Sequence, residues 1–204
     1  MSTRYSGSDL SLIRGDRLLF KGVNFSLTAG EALVIEGANG SGKTSLMRVL
    51  AGLMDADRGD VQWNGVSTRI NRQNYREQLL WYGHRTGCKL DLTPQENLRC
   101  EQALRPGSGR ELTDALRELG IERLAKLPMR VLSAGQQRRV ALARLLTGGA
   151  PLWLLDEPFT NLDTAGIELI ERLLAEHLGR GGICVMASHR AVAASIPHHS
   201  LVLS

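Results

Sequence analysis

The run Gly37-Ala38-Asn39-Gly40-Ser41-Gly42-Lys43-Thr44 has the residue types and spacing to hold phosphates. It fits G-x-x-x-x-G-K-[ST]. Glycines without a Cβ let the backbone curl around an anion. Their N–H groups, together with the unpaired donors of a new helix, point at the phosphates. Lys43 supplies a point charge for the terminal phosphates, Thr44 offers a hydroxyl to Mg²⁺, and Ser45 closes the run. An apolar segment, 32–35, precedes the motif, and a helix-like stretch, 45–50, follows it. That strand–loop–helix order predicts a nucleoside triphosphate site.

A second group of acids completes such a site. Leu152-Trp153-Leu154-Leu155-Asp156-Glu157-Pro158 is an apolar strand ending in two carboxylates. In a parallel sheet, ligands gather at the carboxyl ends of strands. Asp156 is placed there to hold Mg²⁺, and Glu157 to face an attacking water as general base. In Leu132-Ser133-Ala134-Gly135-Gln136, Ser133 is a natural N-cap before a long helix expected over 137–146. A helix start bearing Ser and Gly is a second anion site. One nucleotide needs only one phosphate loop, so the second site suggests a second subunit.

The elements that must position these groups are legible in outline. Apolar residues alternate with polar ones at Val23, Phe25 and Leu27, the mark of a half-buried sheet. Asn64-Gly65 after Asp60-Val61-Gln62-Trp63 signals a hairpin. Strands are expected at 79–82, 152–155 and 183–186, with a helix over 164–178. Thr93-Pro94-Gln95-Glu96 is a capping box with Pro at the first helical position. Helical patterning runs to about 103, then a loop at 105–109 leads to a helix over 111–119 stopped by Gly120. Strands alternating with helices imply a parallel sheet. The expected class is therefore α/β: a phosphate-loop NTPase core with a mostly parallel sheet, an N-terminal antiparallel β subdomain and a small helical subdomain. The whole chain, 1–204, reads as one domain, with the nucleotide-binding core at 8–90 and 131–204 and the helical subdomain at 91–130.

These motifs in this order resemble the ATP-binding cassette (ABC) transporter ATPases. The family signature is LSGGQ, here LSAGQ (Leu132 to Gln136), followed by QRRVALARLL. The resemblance implies a head-to-tail homodimer, each ATP lying between one subunit's phosphate loop and the other's Ser133 and Gly135. It also implies a D-loop at Thr160-Asn161-Leu162-Asp163, with Asp163 at the dimer contact. His189 matches the switch histidine that touches the terminal phosphate. Two slots depart from the pattern. The glutamine that normally reports nucleotide state to the membrane partner is His84, in Tyr82-Gly83-His84-Arg85-Thr86-Gly87. The aromatic that stacks on adenine is absent, and its slot falls near Arg14, whose guanidinium plane can stack on a base.

Within the family, G-H-x-x-G followed by K-L-x-L-T-x-x-E-N-L resembles the ATP-binding subunits of bacterial cytochrome c maturation systems, the haem exporters. That implies ATP and Mg²⁺ as ligands and an integral membrane subunit as partner. No direct nucleic-acid binding and no direct haem binding are expected: C-x-x-C-H is absent, and His198-His199 reads as a solvated tail. An ABC ATPase with another cargo, or one acting on nucleic acid, is the alternative. A P-loop kinase would not need LSAGQ or a water-activating Glu157.

Bulk properties exclude other classes. No stretch approaches the about 18 apolar residues that span a bilayer. The opening residues lack the apolar segment of a signal peptide, so a cytoplasmic chain is expected, peripheral on the inner face of the cell membrane through its partner. The three cysteines, Cys88, Cys100 and Cys184, form no C-x-x-C spacing and argue against disulfides or a structural zinc. A net charge of +4 discriminates nothing.

Overall fold

The computed structural model describes residues 3–83, 86–104, 110–190, 192–193 and 196–203. Two sheets share the work. Strands β1 (Arg4–Arg14), β2 (Arg17–Thr28), β4 (Arg58–Trp63) and β5 (Val66–Ser67) form an antiparallel sheet in the order β2-β1-β4-β5. Strands β3 (Ala32–Gly37), β6 (Leu79–Tyr82), β7 (Leu152–Asp156), β8 (Ile183–Ala187) and β9 (His198–Leu203) form the second, in the order β6-β7-β8-β3-β9. Every neighbouring pair in the second sheet is parallel. Helices α1 (Lys43–Leu50), α2 (Arg72–Gln78), α3 (Pro94–Leu104), α4 (Leu112–Glu118), α5 (Ala134–Thr147) and α6 (Thr164–Gly179) complete the elements, with two short 3₁₀ turns between α4 and α5. This is the α/β class expected, with its antiparallel β subdomain.

The apolar runs of the parallel strands are continuous because both faces are covered. Alternate side chains go to opposite layers. Leu33, Ile35, Leu152, Leu154, Ile183 and Val185 join a core with Leu46, Met47 and Leu50 of α1 and the inner face of the antiparallel sheet. Val34, Trp153, Leu155, Cys184 and Met186 join the other core with α5 and α6. Helix α5 is apolar around most of its girth, with Val140, Ala141, Leu142, Ala143, Leu145 and Leu146 all buried. It is the central post of its layer, and its N-terminus is therefore fixed by packing. The far end of α1 is fixed as well: the buried hydroxyls of Tyr5 and Tyr75 both donate to the carbonyl oxygen of Leu50.

Local signals match the structure at several points. Asn64 (φ 52) and Gly65 (φ 78) form the β4–β5 turn, with both central residues left-handed as a two-residue hairpin requires. Thr93 and Glu96 cap α3 reciprocally. Elsewhere the structure corrects the reading. Helix α5 begins at Ala134, three residues before the expected Gln137, because the Ser133 cap starts the helix at once. Strand β1 begins at Arg4, ahead of the core's expected start at residue 8. His198-His199 is not a tail: it opens β9, which pairs with β3 from Ala32 to Gly37. The polar composition of 198–200 hid an edge strand with one open side. Helix α2, with Tyr75 as its single buried residue, carries too little periodicity to be foreseen.

Candidate nucleotide site

Strand β3 ends at Gly37, where φ is 148. A Cβ there would stand 2.5 Å from the Leu203 carbonyl oxygen and 2.6 Å from Ser41 Oγ, so only glycine fits between β9 and the loop. The chain then turns through Gly40 (φ 83) and Gly42 (φ 99), both in the left-handed region that glycine adopts freely. Gly42 is the N-cap of α1 and gives it no side-chain cap, and no acid stands in its first turn. The first donors of that helix therefore have no side-chain acceptor at the cap. Lys43 is 7% exposed and folds over the loop. Its Nζ donates to the carbonyl oxygens of Gly37 (2.8 Å) and Ala38 (3.1 Å), which holds the ammonium across the cradle. Buried Ser41 Oγ has no hydrogen-bond partner, a polar atom turned toward the same loop.

The acids arrive from the next strand but one. Asp156 is the last residue of β7 and 1% exposed. Thr44 Oγ1 donates to Asp156 Oδ1 at 3.3 Å, so the hydroxyl and carboxylate share one spot at the foot of the loop. Two oxygen donors suit a hard cation such as Mg²⁺. Among the described residues no cluster of three His, Cys, Asp or Glu side chains could cage a metal. Phosphate and water oxygens would supply the remaining ligands.

Glu157 takes the left-handed backbone, φ 53, which is rare for a residue with a Cβ and costs on the order of 1–3 kcal/mol. Its N–H still bonds the sheet, donating to the Ala187 carbonyl oxygen at 3.0 Å. The turn lifts its side chain off the sheet toward His189, whose Nε2 lies 3.4 Å from Glu157 Oε1. His189 stands two residues beyond the end of β8 and its side chain is 46% exposed. Asn39, Gly40, Gly42, Lys43, Thr44, Ser45, Glu157 and His189 all line one cleft of about 560 Å³. The structure thus gathers the phosphate loop, the second acid and the histidine on one surface, with Asp156 beneath Thr44.

Arg14 is not among the residues lining that cleft. It pairs across the β1–β2 hairpin with Arg17, and Arg17 reaches the loop instead, donating to the Gly40 carbonyl oxygen at 3.2 Å. Leu19 and Arg48 line the cleft itself, and sequence reasoning assigned neither of them nor Arg17 to the site. Register across a hairpin would have found Arg17; nothing local marks Leu19. His84 lies outside the described residues.

The second anion site stands apart, in its own cleft of about 370 Å³. Ser133 Oγ accepts from the Gln136 N–H at 3.3 Å, and Gln136 Oε1 accepts from the Ser133 N–H at 2.9 Å, a complete capping box. Leu132 is buried as the anchor, whereas Ser133 and Ala134 are exposed. A Cβ at Gly135 would meet only the Asn161 carbonyl oxygen, at 3.8 Å, an ordinary contact. Nothing among the described residues demands a glycine there. Asp163 lines this cleft and caps α6 through the Gly166 N–H at 3.0 Å. Arg139 holds it with two contacts of 2.8 and 2.7 Å. Arg139, then the Gly166 N–H, keep the Asp163 carboxyl below the usual carboxylate range. At the end of β6, burial pushes the Tyr82 phenol up, opposed by nearby Arg138.

Comparison with known proteins agrees with this geometry. The family model of the ABC transporter matches residues 20–160. The cytochrome c biogenesis ATP-binding export protein CcmA of Methylococcus capsulatus is 48% identical over 185 residues, covering 90% of this chain and 89% of its own. The protein of the same name from Nitrosomonas europaea is 46% identical over 202 residues, covering 96% and 93%. Among solved structures, the ATP-binding subunit of an ABC transporter superposes with a TM-score of 0.88 at 27% identity, over 98% of this chain and 85% of that one. The ATP-binding cassette MJ0796, in a dimeric post-hydrolysis state bound to ADP and Pi, gives 0.82 at 24% identity, over 98% and 94%, and so shares the fold. With its phosphate loop, acid pair and serine-capped helix in one frame, the chain belongs to the ABC transporter family, as an ABC ATPase of the CcmA kind.

Proposed function

We propose that the whole chain works as one ATPase domain and that two copies enclose ATP head to tail. In this reading it drives an integral, CcmB-like membrane subunit in cytochrome c biogenesis, from the cytoplasmic face of the membrane. The observation that carries it is the presence of two separate clefts on one chain, one at the start of α1 and one at the start of α5. Each is half of an ATP site, and head-to-tail pairing joins them. The dimeric MJ0796 cassette offers a precedent within the fold. No helix of the described residues is long and apolar enough to cross a membrane, so membrane coupling would run through the partner.

The roles follow from placement. The uncapped start of α1 and Lys43 bind the β- and γ-phosphates; on binding, the ammonium exchanges its loop carbonyls for phosphate oxygens. Thr44 and Asp156 would hold Mg²⁺, which when bound would supply positive charge against the phosphates. Glu157 takes the proton of the attacking water, whose oxygen bonds the γ-phosphorus as the bond to the ADP oxygen breaks. His189 sits beside Glu157 and reaches the γ-phosphate. Ser133 and Gly135 of the other copy close on the same phosphate. General-base assistance contributes on the order of 10²–10⁴ in rate. Glu157→Gln should therefore bind ATP, stay dimeric in size-exclusion chromatography, and release phosphate that much more slowly. Near-normal phosphate release from that variant would overturn the assignment.

A further inference from the structure

We propose that Arg138 is a positioning residue that holds Glu157 in its working conformation and ties that conformation to the Ser133 end of α5. The proposal rests on Glu157 being the base. Arg138 is 5% exposed, an unusual place for a guanidinium. Its Nη2 donates to the backbone carbonyl oxygen of Glu157 at 2.6 Å. Its Cζ stands 5.0 Å from the ring centroid of Tyr82, the last residue of β6. One side chain thus joins the helix of the second anion site, the end of β6 and the residue after β7.

The carbonyl it grips belongs to the residue in the left-handed backbone. A short, charge-assisted hydrogen bond is about twice as strong as a neutral one. It offsets the strain that lifts the carboxylate off the sheet. Helix α5 is a hydrogen-bonded, buried rod, and Ser133 caps it barely more than a turn before Arg138. A phosphate that draws the Ser133 end moves the guanidinium with it. The adjoining Arg139 holds Asp163 beyond the same turn, so the 157–163 segment is gripped at both ends by consecutive arginines. Arg138 does not line the nucleotide cleft, which separates positioning from contact with the reacting atoms. The fork that bonds a carbonyl while lying over a ring is particular to Arg; Lys offers a point charge.

The test compares Arg138→Met and Arg138→Lys in the wild-type and Glu157→Gln backgrounds, by steady-state and single-turnover ATP hydrolysis. Displacing a base by about an ångström costs up to about 100-fold. Arg138→Met should lower kcat by about 10- to 100-fold while KM for ATP changes less than about threefold, and Arg138→Lys should recover part of the loss. In the Glu157→Gln background the same change should add less than about threefold, because the group it aims is gone. A loss of equal size in both backgrounds, a raised KM with unchanged kcat, or an unchanged kcat would each overturn the proposal. Glu157→Gln alone reports on the base, and normal turnover there would remove both readings. Should Arg138→Met fail to fold, Arg138→Gln carries the same comparison, with retained binding of a fluorescent ATP analogue as the check.

Discussion

Two helices in this chain begin at the proposed phosphate-binding positions, and they begin differently. Helix α1 starts from Gly42 with no side-chain cap, whereas α5 starts from Ser133 with both halves of a capping box made. Neither has an acid in its first turn, in contrast to α3, where Glu96 stands against Thr93. The first turns of α1 and α5 therefore both accept an anion without charge repulsion. They differ in readiness. The α1 cradle keeps its donors for a ligand and holds Lys43 in place on its own carbonyls. The α5 terminus is satisfied by itself and exposed. It gains from a phosphate only when one is brought to it. In the proposed head-to-tail dimer that asymmetry would order events: nucleotide would enter at α1, and the α5 end of a second copy would close afterwards.

The comparison can be broken most severely at Ser133. Ser133→Arg should block closure by bulk and charge, abolishing ATP-driven dimerisation and turnover in the sandwich reading. Nucleotide affinity of the single chain should be retained; light scattering with and without ATP decides, and dimers in the variant would refute the order of events. The mirror change is Lys43→Ala. A charge-assisted hydrogen bond contributes about 1.5–3 kcal/mol, so affinity for ATP should fall roughly ten- to a hundredfold with little loss of fold. Equilibrium titration with a fluorescent nucleotide measures it, and an unchanged Kd would show that the cradle does not depend on the lysine. The mildest probe is Ser133→Ala, which removes the cap but adds no bulk. Losing a serine N-cap costs about 1 kcal/mol, a fall of about 2–4 °C in Tm for a chain of this size. Gly42→Ala is not the matching change at α1, because a Cβ there would enter the left-handed region 3.3 Å from Leu19 Cβ. A Ser133→Ala variant with unaltered Tm would mean that packing of α5, not its cap, holds the terminus.

Much of the site was legible because its chemistry is local in sequence. The phosphate loop is one contiguous run, and a glycine pattern can be read without knowing the fold. The same is true of Asp156 and Glu157 at the end of an apolar strand, and of the Ser133–Gln136 box. What escaped is non-local. Arg17 rather than Arg14 reaches Gly40, since the hairpin register decides which of two facing arginines points to the loop. Strand β9 exists because β3 offers it an edge, not because 198–203 has strand composition. Arg138 reads as one more basic residue on a helix until packing buries it against Glu157.

Residue types and spacing alone determined which groups could grip a phosphate, hold a cation and accept a proton, because those properties belong to side chains and to glycine's freedom. Tertiary structure decided which of them meet. The parallel order β7-β8-β3 brings residues 112 positions apart together at the carboxyl ends of the strands, placing Thr44 3.3 Å from Asp156. The buried α5 sets the cleft at Ser133 apart from the one at the glycine loop. Distances across a sheet are fixed by strand order and register, and neither is written in any single stretch of the chain.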